Sequence, residues 1–158
     1  MRLWVGAVGR PGTVFGGAIA EYERRAGRYW GLDVVEVRET KAHKGLPVAE
    51  VRAAESRRLL ERVPAGYEIV ATTREGETWS SSTLAKYLEQ IAVRGGAGVA
   101  FLIGGAYGLD EAALRRARHL LSLSSFTLPH ELARLVLAEQ LYRAGTIVRG
   151  EPYHKAAE

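Results

Sequence analysis

The amino-acid sequence predicts an α/β protein with a mainly parallel sheet that helices cover on both faces. Short apolar runs typical of buried strands alternate with helical segments along the whole chain. That alternation favours crossover connections and a parallel, doubly covered sheet. No repeat, linker or low-complexity segment divides the 158 residues, a length typical of one domain. We therefore expect residues 1–158 to form a single domain.

Each predicted strand is a short apolar run bounded by glycine or polar residues. The first run, LWVGAV, ends at Gly9, and the most strand-like run, GVAFLI, ends at Gly104. The five predicted strands span residues 2–8, 33–37, 68–72, 97–103 and 120–123.

The segments between the strands have helical composition and recognisable ends. Pro47 suits the first turn of the second helix, whose many charges predict a solvated face. Ser80 offers an N-cap to the third helix, and Thr127 offers one to the last helix, which Pro129 begins. The predicted helices span residues 15–29, 47–63, 80–94, 110–118 and 129–144, and a tail follows from Gly145.

Composition excludes several classes of protein. The absence of cysteine rules out disulfide scaffolds, iron–sulfur clusters and thiol nucleophiles. No apolar stretch is long enough for a membrane span, and the N-terminus lacks a signal-peptide pattern, so we expect a cytoplasmic protein with no membrane partner. Asp33 and Asp110 are the only aspartates, which argues against an Mg²⁺ site, and we expect no metal.

The charge is basic and comes mostly from arginine. The 22 basic and 18 acidic residues give a net charge of +4, and 18 of the basic residues are arginines. Guanidinium groups bind phosphate in a bidentate way and stack on bases, so this composition suits an RNA partner. Codon bias or heat adaptation explains it equally well.

Three loops follow strands at the edge where parallel sheets bind ligands: residues 72–78, 104–109 and 123–129. The cluster GGAYG at 104–108 allows either a tight turn or a ligand close to the backbone. The serine-rich loop at 123–129 either caps a helix or offers backbone groups to an adenine edge. Neither a dinucleotide-binding nor a P-loop pattern occurs.

The last helix is apolar on two sides, which predicts one face against the core and another against a second copy of the chain. Glu139 and Arg143 are spaced to pair along it. His130, at its start, is a candidate ligand or proton acceptor, or a surface histidine. The tail, RGEPYHK, suits base stacking and phosphate binding, or is a frayed terminus.

Taken together, these segments resemble one family. The motifs are FLIGGAYGL at 101–109, LSLS at 121–124, TLPH at 127–130, EQLYRA at 139–144 and PYHK at 152–155. In this order they resemble the small single-domain SPOUT methyltransferases, and among those the 23S rRNA pseudouridine N3-methyltransferases. The resemblance covers nearly the whole chain.

The resemblance implies a C-terminal trefoil knot that binds S-adenosylmethionine in a bent form, without a metal. It implies a homodimer with an active site shared across the interface. It implies that the substrate is a pseudouridine of 23S rRNA in the assembled ribosome, methylated at N3. The family's cofactor contacts carry over to Thr72, Gly104, Gly105, Leu123, Ser124, Ser125, Phe126, Thr127 and Leu128. Thr72 replaces the family's usual leucine, which predicts a more polar pocket wall.

The same resemblance supplies candidates for catalysis. His154 is the first candidate for proton acceptor and His130 the second. Arg143 is expected to stabilise negative charge on the base, and Tyr153 to stack on it. Arg149 and Lys155 are expected to bind RNA phosphates.

Three alternatives remain open at this point. A SPOUT methyltransferase with another RNA target fits the same motifs. A non-catalytic ribosome-binding protein fits the charge but has no need of two ligand loops. Another nucleotide-dependent enzyme of doubly wound type fits the fold but lacks the phosphate-binding fingerprints.

Overall fold

A computed structural model describes residues 1–43 and 45–153 and confirms the α/β class. The strands are β1 (Arg2–Val8), β2 (Gly31–Val37), β3 (Glu68–Thr78), β4 (Gly98–Ile103) and β5 (His119–Ser122). The helices are α1 (Thr13–Ala26), α2 (Val48–Arg62), α3 (Ser81–Val93), α4 (Glu111–Arg116) and α5 (His130–Val148). The sheet order is β2-β1-β4-β3-β5, and its strand pairs are parallel.

Helices cover both faces of the sheet, as predicted. Side chains alternate along a strand, so Leu3 and Val5 of β1 belong to one core cluster, and Trp4 and Val8 to another. The first cluster lies under α1, α3 and α5, and the second lies under α2 and α4. Phe101 of β4 is fully buried in the first cluster. The sheet is therefore the middle layer of three.

The strand order brings the three candidate loops together. β4, β3 and β5 are neighbours in the sheet and run in the same direction, so their carboxyl ends meet at one edge. The loops at 72–78, 104–109 and 123–129 leave from that edge.

β3 is longer than the sequence predicts. We expected it to end at Thr72 and to be followed by a loop, but it continues to Thr78. Thr72 and Glu77 both pair with Leu121 of β5, so the register shifts between them. Gly76 permits this because a Cβ there would lie 2.6 Å from the backbone of Leu120. The segment is thus a bulge held against β5 rather than a free loop.

α5 is also longer than expected, because Gly145 does not end it. A Cβ on Gly145 would lie 2.5 Å from the ring of Tyr29, so this glycine allows close packing inside the helix. The helix ends where Gly150 adopts a φ of +67° and donates its N–H to the Ile147 carbonyl. α1, in contrast, ends at Ala26, three residues before the end that the sequence predicts.

Within the described residues, no helix is long and apolar enough to cross a membrane. The trefoil knot that the resemblance implies stays a prediction. The serine cap of α3 is confirmed, since the Ser80 hydroxyl accepts the Thr83 N–H at 3.0 Å.

A buried ion-pair network joins α5 to α1 and β2. The Arg134 side chain is only 8% exposed and lies 2.7 Å from carboxylate oxygens of both Glu23 and Glu36. Burial opposes the charge, but the hydrogen bonds to the two carboxylates outweigh that effect and raise the pKa of Arg134. Removing the guanidinium would leave both carboxylates without their counter-charge.

We predict that Arg134→Met lowers the free energy of unfolding by roughly 3 kcal/mol, because breaking a buried charge network strands its partners. Urea unfolding at fixed protein concentration measures it. The matched control is Arg24→Met, which breaks the exposed pair with Glu21 and should change stability very little. Equal losses in the two variants would show that the network contributes no more than a surface pair.

Candidate active site

A cavity of about 610 Å³ opens at the carboxyl ends of β3, β4 and β5. Its volume falls within the range of small-molecule sites. Its wall is formed by three loops, by the start of α5, by one residue of α2 and by one residue of α4. The lining residues are Arg52, Thr72, Thr73, Arg74, Glu75, Ile103, Gly104, Gly105, Ala106, Tyr107, Gly108, Leu109, Leu114, Leu123, Ser124, Phe126, Thr127, Leu128, His130 and Ala133.

The glycine loop after β4 is closed by its own backbone. Gly105 and Gly108 form a bridge in which the Gly108 N–H donates to the Gly105 carbonyl at 3.0 Å. A Cβ on Gly104 would lie 2.5 Å from the Gly108 carbonyl carbon, and Gly108 has a φ of +80°. The tight turn therefore explains Gly104 and Gly108, and it brings bare backbone to the cavity wall.

The bulge of β3 supplies the second wall. The Thr72 hydroxyl donates to the Leu102 carbonyl at 2.8 Å, so its polar group is already paired with β4. Arg74 reaches the third loop, donating to the Thr127 hydroxyl at 3.1 Å, and pairs with Glu75 at 3.2 Å. Hydrogen bonds from the Thr73 hydroxyl, the backbone and Arg74 lower the pKa of Glu75. The bulge thus presents the Arg74–Glu75 ion pair to the cavity.

The third wall, the loop after β5, is folded by its own serines. The Ser122 hydroxyl donates to the Ser124 carbonyl, and the Ser124 hydroxyl accepts the Phe126 N–H at 2.9 Å. Phe126 is 80% exposed at the cavity rim. Ser125 does not line the cavity formed by the described residues. The expected Thr127 cap is wrong: no side chain in the described part of the chain caps α5, and the Thr127 hydroxyl accepts a hydrogen bond from Arg74 instead.

His130 is the one predicted catalytic residue within the described chain that lines this cavity. It also borders a small recess at the end of β1, beside Gly9 and Arg134. Its position at the start of α5 puts it next to the third loop.

Glu55 of α2 was expected on a solvated face but is 3% exposed. Helical spacing places it on the same side as Val51 and Leu59, which are fully buried. It lies behind the glycine loop, because a Cβ on Gly105 would be 2.9 Å from its Oε1. Burial raises the pKa of Glu55, while the hydrogen bond from the Thr40 N–H and the charge of Arg58 partly offset the rise.

A second cluster contains most of the other predicted catalytic residues. Arg143 pairs with Glu139 at 2.7 Å, as the spacing predicts, and both side chains are 20% exposed. The Tyr153 hydroxyl donates to Glu139 at 3.0 Å, and the Arg143 guanidinium lies 4.7 Å from the Tyr153 ring centroid. The Tyr142 ring packs on Tyr153 at 4.5 Å. Burial, with hydrogen bonds to Tyr22 and Glu139, raises the pKa of Tyr153, which keeps its phenol neutral.

The cluster continues toward the chain end. Arg149 lies over the Tyr29 ring at 4.8 Å, and the Tyr29 hydroxyl donates to Glu151. The segment up to Tyr153 is therefore docked on α5 and on Tyr29, just after α1, rather than frayed. His154 and Lys155, predicted to act as base and phosphate ligand, lie outside the described residues.

The cavity and this cluster lie at different places on α5. Arg143 comes thirteen residues after His130, which is roughly 20 Å along a helix axis. The structure thus brings together the predicted cofactor residues, except Ser125, with His130. It keeps Arg143, Tyr153 and Arg149 apart from them.

Sequence reasoning missed six polar, aromatic or apolar residues of the wall that matter for its chemistry. They are Arg52, Arg74, Glu75, Tyr107, Leu114 and Ala133. Arg74, Glu75 and Tyr107 lie in the loops that the sequence placed at this edge, whereas nothing in the sequence singled out the other three. Among the described residues, no group of three or more His, Asp or Glu side chains is placed to hold a metal ion.

Comparison with known proteins identifies the class to which this fold and cavity belong. Residues 1–154 match the family described as "Predicted SPOUT methyltransferase". The chain belongs to the SPOUT methyltransferase family.

Individual relatives carry a more specific name. A protein of Gemmatimonas aurantiaca named "Ribosomal RNA large subunit methyltransferase H" is 48% identical over 156 residues, covering 98% of this chain and 100% of that protein. A protein of the same name from Anaeromyxobacter sp. is 46% identical over 156 residues, with the same coverage. Another, from Listeria monocytogenes, is 45% identical over 140 residues, or 87% of this chain and 88% of that protein.

We predict that Glu55→Gln gains stability relative to the wild type as the pH rises. A raised pKa in the folded state means that Glu55 favours folding below its ordinary value of 4.5 and loses that contribution as the pH climbs through the folded-state value. Urea unfolding of both proteins between acidic and neutral pH measures the difference. Glu61→Gln, on the exposed side of the same helix, is the control for the substitution itself. A stability difference that does not vary with pH would contradict the shift.

Proposed function

We propose that this protein transfers a methyl group from S-adenosylmethionine to N3 of a pseudouridine in 23S rRNA of the assembled ribosome. The observation that carries the proposal is the cavity, whose wall contains eight of the nine residues that the family resemblance assigns to the cofactor. The names of the relatives support a ribosomal RNA substrate.

The cavity fits this cofactor in size and chemistry. Bare backbone at Gly104 and Gly105 and the backbone of the loop at 123–128 offer polar groups to a flat base edge. Leu123, Leu128 and Ile103 offer apolar surface. When bound, S-adenosylmethionine supplies a methyl group that is already activated by its sulfonium. The protein's task is then to orient the acceptor nitrogen and to manage its proton.

A second copy of the chain would complete the site. Arg143 lies near the far end of α5, and Tyr153, which follows that helix, packs on it, so neither lines the cavity of its own chain. Leu132, Leu135 and Val136 are only partly buried and belong to neither core cluster of the described residues. These apolar residues flank the Glu139–Arg143 pair, so the face they form suits a homodimer that carries the Arg143 cluster to the partner's cavity.

We assign the residue roles from the charge of each side chain and from the contacts that hold it in place. N3 of pseudouridine must lose a proton, and negative charge then spreads to the ring carbonyls. Arg143, held by Glu139 and by the Tyr153 ring, is preorganised to stabilise that charge. His154 is our first candidate for proton acceptor and His130 the second. Tyr153, whose neutral phenol already donates to Glu139, serves as a stacking surface rather than as a base.

The size and charge of the chain favour a large, preformed RNA surface as substrate. The described residues form one sheet with its covering helices, so in this proposal the dimer itself reads the ribosome. Arg149, which is exposed beside the cluster, and Lys155 are our candidates for phosphate binding. An enzyme that acts on assembled ribosomes would work in the cytoplasm.

The test is methyl transfer from S-adenosylmethionine with a labelled methyl group, using ribosomes with and without 23S rRNA pseudouridines. We expect label in a pseudouridine nucleoside, at N3 by mass spectrometry, and none in ribosomes that lack the modification. Label in a different nucleotide would instead support a SPOUT enzyme with another target. Cofactor-independent ribosome binding with no transfer would support the non-catalytic alternative.

A further inference from the structure

Two buried side-chain atoms of the described residues have no hydrogen-bond partner, and both belong to α2. They are Nε of Arg52 and Oε1 of Glu55. Glu55 faces the back of the glycine loop, whereas Arg52 lines the cavity itself. Of these two residues, Arg52 is therefore the one that a ligand in the cavity would contact.

An unpaired guanidinium N–H that is shielded from water costs free energy, so such groups are normally paired. Arg52 takes part in no hydrogen bond, ion pair or ring contact within the described residues. The cavity's other arginine differs, because Arg74 is engaged by Glu75 and Thr127. Arg52 is thus the uncompensated arginine of the cavity wall formed by the described residues.

Arg52 reaches the cavity from α2, the helix that holds the end of the glycine loop and contacts α4. The Asp110 N–H donates to the hydroxyl of Ser56, one turn along α2, which ties the end of the glycine loop to this helix. Leu114 of α4, a helix that contacts α2, lines the same cavity. The loop at 123–128, which suits an adenine edge, connects β5 to α5 instead. Arg52 and this loop thus belong to different elements of the cavity wall, which leaves Arg52 to the part of the ligand that is not adenine.

We propose that Arg52 binds the carboxylate of the methionine portion of S-adenosylmethionine, an inference that rests on the proposed function. A guanidinium is a planar fork of N–H donors that matches a carboxylate. The carboxylate is also the sole anionic group of this cofactor, whose sulfonium and ammonium are cationic. Arg52 thereby distinguishes the complete cofactor from analogues without a carboxylate.

The experiment is a thermodynamic cycle between one side chain and one ligand group. Isothermal titration calorimetry measures the affinity of wild type and Arg52→Gln for S-adenosylmethionine and for decarboxylated S-adenosylmethionine. We expect Arg52→Gln to weaken the complete cofactor by roughly tenfold or more, as loss of a charged hydrogen bond does. The decarboxylated ligand carries one more net positive charge, so its affinity should be unchanged or slightly higher in the variant.

Two further variants sharpen the result. Arg52→Lys retains the charge but not the fork, so we expect part of the lost affinity to return for the complete cofactor. Arg57→Gln removes an exposed arginine of the same helix and should alter neither affinity. Unchanged binding of the decarboxylated ligand also shows that Arg52→Gln keeps its fold.

The outcomes separate this inference from the function on which it rests. An equal loss for both ligands, or a loss for neither, overturns the role of Arg52 and leaves the cofactor site standing. Intact cofactor binding with weakened ribosome binding in Arg52→Gln overturns it as well, and assigns the arginine to RNA phosphate. Failure of the wild type to bind either ligand overturns both the inference and the proposed cofactor.

Discussion

The register shift between β3 and β5 is the constraint on which the site depends. Because Thr72 and Glu77 both lie opposite Leu121, the residues between them are pushed out of the ladder at the edge where β4 also ends. This bulge forms one wall of the cavity, and the glycine turn after β4 forms the next. Arg74 then ties the bulge to the loop after β5 through Thr127. Three adjacent strand ends thus build one preformed cavity from short, internally bonded segments.

α5 links this cavity to the rest of the molecule. It begins at His130 in the cavity wall, is held to α1 and β2 through Arg134, and carries the Glu139–Arg143 pair near its far end. The helix therefore separates the cavity, where we propose that the cofactor binds, from the Glu139–Arg143 pair, which is suited to stabilise charge. A single rigid helix cannot bring its two ends to one point, so in our account the symmetry of a dimer does so. The docked segment up to Tyr153 holds the Arg143 guanidinium in place for that purpose.

Much of this was predictable from the sequence, for identifiable reasons. Apolar runs and their glycine ends located the strands and the three loops, and a four-residue spacing predicted the Glu139–Arg143 pair. The bulge was not predictable, because residues 73–78 are polar and typical of a loop, and only pairing with β5 makes them a strand. The sequence predicts that Gly145 ends the helix, whereas in the structure its missing Cβ allows the helix to continue and to pack against the Tyr29 ring. Arg52 and Glu55 resembled solvated charges, since composition alone does not reveal which helix face is buried.

Complementation between two inactive variants tests the central claim, that the cavity and the Arg143 cluster form one site only across two chains. Thr127→Trp would block the cavity at an exposed rim position, and Arg143→Ala would remove the charge from the cluster. We expect each variant alone to be inactive in methyl transfer, and their mixture to recover about a quarter of wild-type activity after random subunit exchange. In the mixed dimer, one cavity and one cluster are intact on opposite chains. A mixed dimer that forms but stays inactive would contradict the account and place the complete site within a single chain.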